Sequence, residues 1–245
     1  MNALVEYQIN VFGDFYSLKA DNHTVLGIMN LLKDFDFLPG HFLEQNQGKM
    51  SLIPRILLSS LDGKQTFQFF TDKITFNAVS SKGPESLDPG FSQKEIEDIN
   101  STVYNLIDKV MQNYDISAYM FLVAVRHIYY RVETDEISRM NQTLFSPIKY
   151  YEGTDIAGNQ ICLIKNEPIS VFKKEEQVNV ITNITRIFQQ INLSNEINGY
   201  RIEIKISTNS NNTSPRFEIG DLASFVAYTK EKENLLLQQI IIDFK

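Results

Sequence analysis

The chain reads as an α+β protein. Antiparallel sheets, built from a meander and hairpins, would each be covered by helices, with a division into two subdomains left open. Three observations predict this: a three-stranded meander over residues 54–79, an amphipathic helix over about 93–113, and hairpin strands followed by an apolar helix near the C-terminus. Runs of strands followed by a helix, without strict alternation of the two, favour antiparallel sheets with helices on a face.

The first element is VEYQINVF (5–12), whose alternation and β-branched and aromatic residues predict a strand. Over Thr24–Phe35, Val25, Ile28, Met29, Leu32 and Phe35 recur at three- and four-residue spacing, which predicts a short helix ended by the approach to Pro39-Gly40. HFLEQNQGK then reads as a loop. In the meander, Asp62-Gly63 predicts a type I′ hairpin turn, because both central residues of that turn need positive φ. Thr71-Asp72-Lys73 predicts a second tight turn into ITFNAV. GPESLDPG (83–90) breaks the pattern, and Ser92 with Glu95 forms a capping box for the helix that follows.

AYMFLVAVRHIYYRV (118–132) is a long apolar strand, predicted to be central because its first half is apolar on both faces. Residues 141–159, with Pro147, Gly153 and Gly158, form the connecting segment between an N-terminal unit (1–140) and a C-terminal one (160–245). No residue-level repeat relates the two. ICLIKNE (161–167) predicts a strand, and 175–193 a long strand whose spacing also permits a helix. Asn198-Gly199 predicts a hairpin turn into the alternating strand RIEIKIS (201–207). In the final segment Leu222, Phe225, Val226, Leu236, Leu237, Ile240, Ile241 and Phe244 share one helix face, with Glu233 intruding.

Composition narrows the function classes. The 245 residues include 43% hydrophobic and 22% charged residues, ordinary globular usage. The single cysteine, Cys162, excludes an internal disulfide or a cysteine-based zinc site, fits a reducing cytoplasm, and in the apolar run ICLI is expected to be buried and inert. A net charge of −7 with no Lys/Arg block disfavours nucleic acid. No apolar run approaches a membrane span of roughly 20 residues, and MNALVEYQINVF lacks the basic start of a signal peptide. Little arginine and no tryptophan, beside much Asn, Ile, Lys and Phe, read as the codon bias of an AT-rich bacterial or phage genome.

The chemistry-bearing stretch is MFLVAVRHIYYRVE (120–133). Its odd positions place His127, Tyr129, Arg131 and Glu133 on one strand face, about 7 Å apart in succession. Arg131 could hold a carboxylate or phosphate there, with His127 as donor or general base. The competing and favoured reading is that the strand leaves the core at Arg126, and polar side chains start where water starts. No catalytic residue, cofactor or metal is assigned: only three histidines are available, none at H-x-x-x-H spacing, and no phosphate-binding or nucleophile-elbow motif occurs.

The order from PRILLSSLDGKQTFQFFTDKITFN through the helix to AYMFLVAVRHIYYRV resembles an uncharacterised, sporadically distributed bacterial family over about the first 140 residues. Arg126, Tyr129 and Tyr130 stand nearest its R-x-x-Y-x-x-R-like strand, and the tryptophan that often follows its meander is missing here. The resemblance implies an α+β fold and no known activity. The function expected is that of a cytoplasmic, non-enzymatic binding or regulatory protein acting through another protein or self-association. The alternative is a small-molecule enzyme or ligand-binding protein using the His127/Arg131 face.

Overall fold

In a computed structural model, residues 2–45, 51–80, 93–130, 139, 160–170, 175–192, 195–209 and 211–243 are described. Among them nine strands form one antiparallel sheet, in the order β2-β3-β4-β5-β1-β6-β9-β8-β7. These are β1 (Asn2–Gly13), β2 (Phe37–Gln45), β3 (Leu52–Ser60), β4 (Gln65–Phe69), β5 (Lys73–Val79), β6 (Ala118–Tyr130), β7 (Gln160–Ile169), β8 (Glu176–Asn192) and β9 (Asn195–Thr208). The helices are α1 (Asn22–Leu31), α2 (Gln93–Asn113) and α3 (Ile219–Asp243). The α+β character is as the sequence predicts, but the sheets expected to be separate are joined. β1 pairs with β6 from Asn2↔Tyr130 to Phe12↔Met120, then slips at a bulge to Gly13↔Ala118.

Strand alternation decides which face is buried. Val5, Tyr7, Ile9 and Val11 of β1 share a face with Phe121, Val123 and Val125 of β6 and with Ile202, Ile204 and Ile206 of β9; all are buried. The helices contribute Ile28, then Val103, Leu106, Ile107 and Val110, then Leu222, Phe225 and Val226 to the same core. Aromatic rings fill the wider gaps: Phe67 lies 4.7 Å from Phe76, and Phe121 lies 4.8 Å from Phe217.

Several expectations need correction. Phe37–Gln45, read in part as a loop, is the edge strand β2, paired with β3 throughout. Pro39 and Gly40 hid it, and a proline is tolerated at an edge because one side of the strand needs no N–H. The Asp62-Gly63 turn is not type I′: only Gly63 has positive φ (71°). Asp62 instead accepts hydrogen bonds from Ser60 Oγ (2.7 Å) and Lys64 N (3.1 Å), which hold a wider loop closed by Gly63 N–H to Ser60 O at 2.9 Å. Asn198-Gly199 is not a turn either; both lie within β9 opposite Phe188 and Ile187, and the hairpin closes at the pair Asn192↔Asn195. Cys162 is exposed, on the strand that ends the sheet among the described residues. The Ser92 capping box and Phe244 lie outside the described residues.

Two arginines tie loops to the sheet. Arg55, fully buried on β3, donates to the carbonyls of Phe69 (2.9 Å), Phe15 (2.8 Å), Tyr16 (3.4 Å) and Phe70, and its Nε lies 3.3 Å from Glu44 of β2. Glu44 in turn accepts from the Thr71 hydroxyl at 2.6 Å. On the other half, Arg216 donates to Glu176 (3.1 Å), to the Asn209 carbonyl (3.0 Å) and to the Tyr119 carbonyl. The buried guanidinium is the costlier one to disturb, since its loss strands Glu44 and several carbonyls. Arg55→Met is expected to cost about 3–5 kcal/mol in chemical denaturation, and a change below about 1 kcal/mol would refute this role.

Candidate functional site

β6 lies between β1 and β9, so His127 and Tyr129 sit on an interior strand of the sheet. His127 is 7% exposed, opposite Val5 on one neighbouring strand and Ile202 on the other. Its face is the one covered by helices. There its Nε2 lies 3.0 Å from Glu233 Oε1 of α3, a residue only 3% exposed. Lys230 donates to the second Glu233 oxygen at 3.3 Å, one turn away on the same helix. The Tyr129 ring stacks near the imidazole, centroids 6.4 Å apart and 16° from parallel. Burial, with the Glu233 carboxylate adding to it, pushes the Tyr129 phenol up to about 12 and raises that of Tyr7 as well. Arg131 and Glu133 lie outside the described residues.

Thus the strand does not surface at Arg126, contrary to the favoured reading. His127 stays in the core because α3 brings a carboxylate to it. A carboxylate that orients an imidazole also occurs in catalytic centres, where the other ring nitrogen meets a reactant in a cleft. Here the ring is held between sheet and helix, and the pair answers the requirement that buried ionisable groups be matched. Glu233 was visible in the sequence only as a polar intrusion on an apolar helix face. The signal was a pair of intrusions, one on a core strand and one on a core helix.

Arg126 points to the opposite face and belongs to a second ionic group. Glu6, Arg126, Glu203 and Asn183 are directly opposed across β1, β6, β9 and β8. Arg126 bonds Glu203 at 2.5 Å and Glu6 at 3.2 Å; Lys205 and Asn183 complete the Glu203 carboxylate at 2.9 and 3.1 Å. Burial opposes ionisation of Glu203, but bonds from Lys205, Arg126 and Asn183 outweigh it and hold its carboxyl at about 2. Opposite charges placed directly across strands are the sheet's counterpart of helical ion pairs.

Two concave surfaces lie elsewhere. A groove of about 780 Å³ opens at the bulged end of β1 and β6, where Asp14, Asp72 and Asp115 meet Tyr16, Tyr114 and Tyr119. Its charge favours cations over anions. A second cleft of about 370 Å³ lies between the outer strand β7 and α3, lined by Leu163, Ile164, Val180, Leu235 and Leu236 with Lys165 and Lys232 at its rim. Glu167 accepts from Lys165 (2.8 Å), Lys232 (2.6 Å) and the Tyr228 hydroxyl (2.6 Å) in that cleft. Large apolar side chains are exposed at both sheet edges: Leu38, Leu43 and Leu52 on β2 and β3, and Leu163 (59%) and Ile164 (66%) on β7. Among the described residues, no group of three or more His, Cys, Asp or Glu is placed to hold a metal ion, and no helix is long and apolar enough to cross a membrane.

Compared with known proteins, the chain matches no family model and no curated protein.

Two outcomes test the ionic groups. His127→Leu and Glu233→Leu are each expected to destabilise strongly, by about 3 kcal/mol, while the double substitution costs clearly less than their sum. Additive losses in a double-mutant cycle would show that the pair is not coupled. For Glu203 the folded-state carboxyl is depressed below its ordinary value of 4.5, so its stabilisation is present above that value and lost as pH falls toward about 2. Denaturation midpoints measured between those limits should fall more steeply for the native protein than for Glu203→Gln.

Proposed function

We propose that this is a non-enzymatic binding or regulatory protein, cytoplasmic and of a bacterium or phage, that works through protein contacts made at the edges of its sheet. The observation that carries this reading is that β2 and β7 end the sheet among the described residues and expose apolar side chains there or beside them. An edge strand presents a row of backbone donors and acceptors, and a partner's strand can add to it while its side chains settle beside the exposed leucines. Against a small-molecule site on the His127 face stand the 7% exposure of His127 and the Glu233 carboxylate already on its ring nitrogen. The acidic balance of −7 supports protein over nucleic-acid partners.

The experiment is co-purification of the tagged protein from its own host, comparing Leu43→Lys, Leu163→Lys and His127→Asn. At least one edge substitution should release the partner without lowering the thermal midpoint, whereas His127→Asn should release it only in proportion to lost stability. Release by His127→Asn at unchanged stability, with both edge variants retaining the partner, would overturn the proposal.

A further inference from the structure

We draw no further inference here: the strongest candidate, the groove of about 780 Å³ at the bulged end of β1 and β6, is walled by the exposed carboxylates of Asp14, Asp72 and Asp115 beside Tyr16, Tyr114 and Tyr119, and nothing in the structure shows what that surface cluster would hold.

Discussion

The ladder between β1 and β6 joins two groups of strands. β1 closes the run β2 to β5, while β6 closes the run formed by β7, β8 and β9; their mutual pairing makes one sheet of nine strands among the described residues. Because these two strands are paired on both sides, their odd positions face the helices and must be apolar or internally neutralised. Val5, Tyr7, Ile9, Phe121, Val123 and Val125 meet that demand by hydrophobicity. His127 meets it through Glu233.

The two faces of the central strands solve different problems with the same residue types. On the helix side, ionisable groups are few, deeply buried and matched across layers. On the other side, the row Glu6–Arg126–Glu203–Asn183 is matched across strands, and the register of three pairings must be right for it to form. Slipping any one pairing by a single residue would turn the chain's side chains to the wrong face. The row therefore specifies register as much as it adds stability. Arg55 and Arg216 extend the same logic to the loops, each gathering carbonyls from segments distant in sequence.

Exposure concentrates where pairing stops. β2 and β7 lie farthest from the β1–β6 ladder, and the three described helices pack over the interior of the sheet, leaving apolar residues there exposed. Leu163 and Ile164 look like core residues in the sequence, yet they are among the most exposed large hydrophobics described. Position in the sheet, not side-chain type, sets their role.

Local periodicity was enough to determine most elements: the meander of β3, β4 and β5, the helix α2, the strand β6 and the apolar stripe of α3 follow from spacings of two or of three and four, whereas the spacing of β8 permitted either strand or helix. Those spacings are consequences of the backbone and need no neighbours. Strand order, by contrast, depends on which edges meet. That is why Pro39-Gly40 concealed β2, why Asn198-Gly199 looked like a turn although its residues pair inside β9, and why Cys162 was expected in the core. The candidate site shows the same division. His127 and Glu233 were each visible as a polar residue on an apolar face, but they are 106 residues apart. Only packing of α3 against β6 could reveal that each is the other's partner.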